Sequence, residues 1–444
     1  SSLFCTKLVF VQQVGISTIR LCPIRSIGEA STMKVVILLI GAVAAQLDRQ
    51  AMIEEIQRTP GILWTAGIDS RFGEIKFKAG IKPEAMAKRR AAYARAVKKM
   101  ASEASEASIS IPESFDSEAN WPHCAKVIGE IRDQSLCGCC WAFAAASAAS
   151  DRLCIETNGT TMVPLSAQDI CFCASEDGCE GDFDDLAWDY IQSQGVVTGG
   201  QYQGTGPFGA GFCQDFSLPN CHHHGPQGDD PYPPEFAKGC PYQHSPQCPN
   251  KCSNSAEGAH TDFQNDKWSF SGETQSASGE KAIQRAIMEG GPVETGYVVY
   301  EDFNHYVSGI YHYVKGASHG GHAVKIVGWG IEKGVKYWKI ANSWNPNWGE
   351  KGYFRIKRGN NECGVEDEVN FSPAHAKWFN GGRQRSPSPG HCSDTEPDYC
   401  GGGTKTSGFC KFNGAKCKKA CGCCDQNPPA HCSDVTSETV AIWS

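Results

Sequence analysis

The sequence predicts an α+β protein whose body has two subdomains, followed by a small disulfide-rich C-terminal domain. Three observations lead there. Helix-forming stretches fill the front of the body and alternating, strand-like stretches its rear, the order of segregated rather than interleaved elements. The 24 cysteines are absent from a charged, Ala-rich leader, Gln46 to Ser110, and dense after it. Eight of them crowd into Cys392 to Cys432, a stretch too short to bury a sufficient core and so one that disulfides must hold.

In chain order, residues 1–32 precede Met33, which is read as the start, with 33–45 as a signal peptide. There Met33-Lys34 leads into VVILLIGAVAA, a positive charge, a short apolar run and small residues, too short to span a bilayer. Residues 46–110 read as a removable pro-segment, with helix-favouring composition from Glu84 to Met100. The body is 111–376. Its middle, Asp169 to Cys252, is rich in Gly, Pro and Cys and reads as loop apart from a helix at Asp184 to Gln192. HAVKIVGWG (His322 to Gly330) and YWKIANSW (Tyr337 to Trp344) read as strands. A Gly/Pro/Ser linker, 377–391, leads to a cysteine-rich domain at 392–424 and a tail at 425–444. The net charge of −8 and pI of about 5.9 give no electrostatic case for nucleic acid. The cysteine content points to an oxidising, secretory compartment, lysosomal, vacuolar or extracellular.

The tetrapeptide CGCC occurs at 137–140 and again at 421–424. Only the first is followed by WAFAAASAASDRLC, an Ala-rich helix former, so Cys140 is placed at a helix N-terminus. There the positive dipole end stabilises a thiolate. GGHAVKIVGWG supplies His322 as a base, ANSWNPNWG supplies Asn342 to orient its ring, and Gln134 offers an amide to a developing oxyanion. A Cys137/Cys140 redox pair is the rival reading; it leaves His322 and Asn342 without a role.

Gln-x-x-Cys-Gly-x-Cys-Trp-Ala-Phe, Gly-Gly-His-Ala and Asn-Ser-Trp-Asn-x-x-Trp-Gly together resemble the papain-like cysteine proteases. IPESFDSEANWPHC, EIRDQ, SDRLCIETNG and GGPVETGYVVYEDF resemble the cathepsin B branch, over nearly all of 111–372. The resemblance implies a papain-like fold, with a helical left half and a β-barrel-like right half. It implies a peptidase in which Cys140 is nucleophile, His322 acid/base, Asn342 its orienter and Gln134 an oxyanion donor. Trp344 would shield the Asn–His hydrogen bond and Trp348 line the leaving-group side. Ser135 and Leu136 replace the usual Gly-Ser, and Cys139 a small residue.

The same resemblance assigns substrate contacts. Cys221-His222-His223-His224, closed by Cys240, is similar to an occluding loop in which His223 and His224 bind a C-terminal carboxylate, Asp133 holding the first of these histidines, so that dipeptides are released. Glu368 matches the base of the pocket for the second residue before the scissile bond. Phe183, Gly296 and Ala323 match its walls. Gly181 and Asp182 stand where the family has Gly-Gly, so Asp182 would narrow that shelf or charge it. Implied disulfides are Cys124–Cys154, Cys137–Cys179, Cys213–Cys252 and Cys221–Cys240, with Cys248 joined to Cys171 or Cys173. ILWTAG (Ile62 to Gly67) is similar to a short cathepsin B propeptide motif and is expected to lie through the cleft.

At the C-terminus the cysteine order resembles an ShK domain, the fold of sea-anemone toxins. That implies Cys392–Cys424, Cys400–Cys417 and Cys410–Cys421, and a docking partner for the tail. The implied partners are protein and peptide substrates and the chain's own pro-segment as inhibitor, with no cofactor, metal or membrane span. The alternative function is a non-catalytic, secreted adhesion or matrix-binding protein of the same fold.

Overall fold

The computed structural model describes residues 6–12, 15–21, 49–67, 79–102, 110–220 and 242–381, the first two segments and 100–102 by backbone alone. The chain divides into Ser1–Gly382 and Arg383–Ser444. The signal-peptide stretch, the His222 to His224 loop with Cys221 and Cys240, and the ShK-like cysteines from Cys392 to Cys424 lie outside the described residues.

Strands β1 (Thr6–Gln12) and β2 (Gly15–Leu21) form an antiparallel hairpin. In the pro-segment, helix α1 (49–58) precedes β3 (Trp64–Ala66), and α2 runs Pro83–Ser102. Pro83 suits the first helical position, where its missing N–H costs nothing, and Glu84 and Lys99 sit at the dipole ends that favour them.

The front of the body is helical. Strand β4 (Phe115–Asp116) and two short helices, α3 (Ser117–Asn120) and α4 (Ala125–Ile128), lead to α5 (Cys140–Glu156). Helix α5 is buried on every side from Cys140 to Cys154. Six alanines between Ala142 and Ala149 let neighbours approach its backbone closely. Helices α6 (Ala167–Cys173) and α7 (Asp184–Ser193) complete this half. Its core joins Trp141, Phe143, Phe172, Trp188 and Phe216.

The rear is a sheet. β5 (Trp268–Phe270) pairs with β13 (Trp378–Asn380) on its own. The others are β6 (Gln275–Ala277), β7 (Val293–Tyr300), β8 (Tyr306–Tyr311), β9 (Ser318–Glu332), β10 (Val335–Ala341), β11 (Tyr353–Lys357) and β12 (Val369–Phe371). Helix α8 (Glu280–Gly290) buries Ile283, Ala286, Ile287 and Gly290, one face at helical spacing.

Four expectations need correction. Residues 378–380, read as linker, form β13 against β5, with Trp378 in the core of the helical half, and residues 169–173, read as loop, continue α6. The right half is not a closed barrel: the strand order is β3-β8-β11-β10-β9-β7-β12-β6, with β4 branching from β9. Its two ends, β3 and β6, do not pair with each other among the described residues, and one of those ends is supplied by the pro-segment. Nor does ILWTAG cross the cleft. Trp64 to Ala66 pair with Gly309, Ser308 and Tyr306 on the edge of β8. The reason is the Trp64 ring, 4% exposed, which sits 5.2 Å from the Tyr311 ring while its Nε1 donates to the His312 carbonyl at 3.1 Å. A large apolar ring with one polar atom anchors best where the body offers both an aromatic wall and an acceptor.

Candidate active site

Cys140 is the first residue of α5, and the carbonyl of Cys139 accepts from the amides of Ala142 and Phe143 at 3.0 and 3.1 Å. Across the cleft β9 carries His322 and Ala323, and the Ala323 amide donates to Cys140 Sγ at 3.2 Å. Just beyond β10, Asn342 Oδ1 lies 2.8 Å from His322 Nε2. The Trp344 ring stacks on the imidazole, centroids 4.7 Å apart and 22° between planes. Ser343 Oγ donates to Gln134 Oε1 at 2.6 Å, and Gln134 Nε2 donates to the Cys137 carbonyl at 2.8 Å. One helix end, one strand and one turn thus bring Cys140, His322, Asn342, Gln134 and Trp344 together. Trp348 differs from expectation: at 1% exposure it stands in the aromatic core, its ring 5.2 Å from that of Trp344 and 5.6 Å from that of Phe303. It supports Trp344 from behind.

The pro-segment fills the groove above these residues. The amides of Gly80 and Ile81 donate to the Gly321 carbonyl at 3.0 and 3.2 Å, on the β9 wall. On the opposite wall, Asp182 N donates to Gly80 O at 3.1 Å and Lys82 N to Asp182 O at 3.3 Å. Gly80 touches the thiol so closely that a Cβ there would overlap Cys140 Sγ and lie 2.5 Å from the Gly138 carbonyl. Gly181, at φ +84, faces the same backbone, and its Cβ would come 3.0 Å from the Gly80 carbonyl. Only glycine takes both roles without displacing chain. The Asp182 carboxylate is held in place here: its Oδ1 accepts from Lys82 Nζ at 3.0 Å and from the Phe183 amide at 3.0 Å, and its Oδ2 accepts from Ser175 Oγ at 2.6 Å.

Burial under this cover sets the protonation. The Cys140 thiol is pushed up to about 12, chiefly by desolvation. The helix end was expected to lower it, but excluding water outweighs the dipole. His322 is lowered to about 4 by the same burial, against the opposing pull of its Asn342 hydrogen bond. Thiol and imidazole are both neutral in this covered state.

Deeper in the groove, Arg89 of α2 is 1% exposed. Its guanidinium donates to Asp184 Oδ2, to Thr295 Oγ1 at 3.1 Å, to the Gly296 carbonyl at 3.1 Å and to the Glu368 carbonyl. Gly296 and Glu368 were expected at this pocket; Arg89, Lys82 and Asp184 were not singled out. Glu368 is half-buried, and burial raises its carboxyl. Asp133 Oδ1 accepts from the Ser135 amide at 2.7 Å and so holds Ser135 at φ +59, where a glycine is more usual.

Among the described residues four disulfides join Cys124–Cys154, Cys137–Cys179, Cys173–Cys248 and Cys213–Cys252. The Cys137 bridge leaves no Cys137/Cys140 redox pair. Cys139 is a buried free thiol beside Cys171, also free, and burial raises it well above its usual range.

A family profile described as papain family cysteine protease matches residues 111–372. A cathepsin B-like cysteine proteinase of Schistosoma japonicum is 46% identical over 59% of this chain and 72% of its own. Cathepsin B-like cysteine proteinase 6 of Caenorhabditis elegans is 39% identical over 74% of this chain and 84% of its own. Among solved structures, procathepsin B S9 of Trypanosoma congolense superposes with a TM-score of 0.54 at 28% identity, over 74% of this chain and 97% of that one. With the groove, its cover and these likenesses together, the chain belongs to the papain family of cysteine proteases, as a cathepsin B-like peptidase in its zymogen form.

Proposed function

We propose that Cys140 is the nucleophile of this peptidase, His322 its acid/base and Asn342 the residue that orients the imidazole. The observation that carries this is a pair of contacts, Ala323 N to Cys140 Sγ at 3.2 Å across the groove and His322 Nε2 to Asn342 Oδ1 at 2.8 Å on its β9 side. Removing Gly80 and its neighbours readmits water. The thiol then falls from about 12 toward its ordinary range and the imidazole rises from about 4, so a proton passes from Sγ to His322. The Cys140 thiolate attacks the scissile carbonyl, and the oxyanion is held by the Cys140 amide and Gln134 Nε2. His322 returns the proton to the leaving amine as the C–N bond breaks. Water then attacks the thioester, and the acid product leaves with the thiol restored. Trp344, stacked on the ring, keeps the Asn342 hydrogen bond dry and the imidazole fixed.

The finer reading is a peptidyl-dipeptidase, with His223 and His224 taking a substrate's terminal carboxylate and Asp133 supporting the first. Residues 392–424 are read as an ShK-like tail that docks the enzyme on a partner, and the compartment as lysosomal, vacuolar or extracellular. Replacing Cys140 by Ala should abolish hydrolysis of a Phe-Arg peptide amide by the processed chain. Hydrolysis surviving in that variant would sink the assignment.

A further inference from the structure

We infer that Asn158 is a site of N-linked glycosylation, and that the fold closes the chain's other acceptor sequence to the same modification. The inference rests on the secretory compartment proposed above. Asn-x-Ser/Thr occurs twice, at Asn158-Gly159-Thr160 and at Asn370-Phe371-Ser372. The two differ in what surrounds them. Asn158 stands just past the end of α5. Its amide donates to the Ile155 carbonyl at 3.0 Å, and that of Gly159 to the Cys154 carbonyl at 2.9 Å, the paired bonds that close a helix on a left-handed residue. Asn158 takes that conformation at φ +49 and Gly159 follows at φ +77. Glycine is usual at the first of these positions, and asparagine is a side-chain-bearing residue that tolerates it. A Cβ on Gly159 would come 3.0 Å from the His123 ring, so the residue between acceptor and hydroxyl is the smallest one. Asn158 and Thr160 are both exposed. The Cys124–Cys154 bridge pins the turn that presents them.

Asn370 is the opposite case. It lies in β12, 4% exposed, between Ser276 of β6 and Glu294 of β7. Its Nδ2, the atom a sugar would occupy, donates to Asp184 Oδ2 at 3.2 Å. Ser372 is fully buried, and its carbonyl accepts from Arg152 Nη1 at 2.8 Å. A bulky polar glycan has no place in that packing, so a folded chain carries none there. The co-reactant at Asn158 is an oligosaccharide on a polyprenyl pyrophosphate. Asn158 Nδ2 gives up one proton and bonds to the anomeric carbon. The carbon–oxygen bond to the carrier breaks, and the lipid pyrophosphate leaves with its electron pair. The helical rise along α5 puts the modified turn about 27 Å from Cys140, at the far end of the helix from the groove. The glycan therefore leaves the groove open to substrate.

The test expresses the full chain in a eukaryotic cell that glycosylates, in one arm as it stands and in the other behind a secretion signal of proven export. Folded chain is treated with peptide N-glycosidase in heavy-oxygen water and mapped by mass spectrometry. Glycosylated asparagine then reads as labelled aspartate. In the second arm most chains should carry the label at residue 158 and none at residue 370. Asn158→Gln and Thr160→Ala should each abolish the label, and Thr160→Ser should restore it. In processed enzyme, kcat/KM per epoxide-titrated site should change less than twofold in either glycan-free variant. Unlabelled Asn158 in chain exported by the added signal overturns the inference, as does label at Asn370 in folded, active enzyme. Label at Asn158 only in the second arm leaves the inference standing and overturns the secretory reading beneath it.

Discussion

At the scale of single residues, the zymogen is held silent by protonation as much as by obstruction. His322, lowered from 6.5 to about 4, binds fewer protons in the covered state than in the unfolded chain between those two values. Its contribution to stability is therefore complete above pH 6.5 and is lost as pH falls toward 4. The shift corresponds to about 3 kcal/mol. A full-length Cys140→Ser chain, which cannot process itself, should show a urea midpoint that drops between pH 6.5 and 4. The drop should be smaller in a Cys140→Ser, His322→Ala double variant, because carboxylates titrate in both and the imidazole in only one. Equal drops would show that His322 carries no such linkage. Cys140, His322, Asn342 and Gln134 were legible from the sequence because each lies in a short motif whose spacing the chemistry dictates. Arg89 and Asp184 were not. They are far apart in sequence, and Arg89 sits in an Ala/Lys/Arg-rich helix where a solvated face is the ordinary reading of a basic residue. The Asp184-Asp185 pair opening α7 was the one available signal.

At the scale of elements, α5 and β9 fix the groove, and Arg152 ties the two halves. From inside α5 it donates to the carbonyls of Ala286 and Gly291, at the end of α8, and to those of Pro292 and Ser372, all at 2.8 to 3.0 Å. A buried cation satisfied by the acceptor end of a helix suits the macrodipole. The cover depends on residues 79–82 crossing between β9 and Asp182 with no side chain over the thiol. Gly80→Ala would force the segment away from Cys140 Sγ and the Gly138 carbonyl. The full-length variant should cleave a Phe-Arg amide at least tenfold faster than the unprocessed wild type, each carried as the freshly purified chain. Activity equal to that of the wild type would place the obstruction elsewhere. Helix α5 and strands β9 and β10 were readable from alanine content and alternation, whereas α6 and β13 fall in Gly-, Pro- and Cys-rich or linker-like sequence whose local composition hides them. The place of ILWTAG was misread because a matched motif identifies a segment, whereas its docking surface is set by the aromatic wall of Tyr306 and Tyr311 that Trp64 meets.

At the scale of the whole molecule, the helical half and the sheet half each keep a separate core, and the groove lies where they meet. The pro-segment contributes to both: β3 extends the sheet at one edge, and α2 sends Arg89 into the body. That dual role explains why the sheet is open at an end the sequence read as barrel wall. A strand donated by a removable segment cannot close a permanent barrel. It also accounts for latency, since the same segment that borrows the sheet edge excludes water from Cys140 and His322. A thiol near 12 has on the order of one part in a hundred thousand as thiolate at pH 7, and alkylation requires the thiolate. The most direct measurement is epoxide labelling followed by peptide mapping, on the full-length chain and on the chain after its pro-segment is removed, both at pH 7. The account predicts no label at Cys140 before processing and one label per chain at Cys140 afterwards. Equal labelling of Cys140 in both forms, or label carried by Cys139 or Cys171 instead, would contradict it.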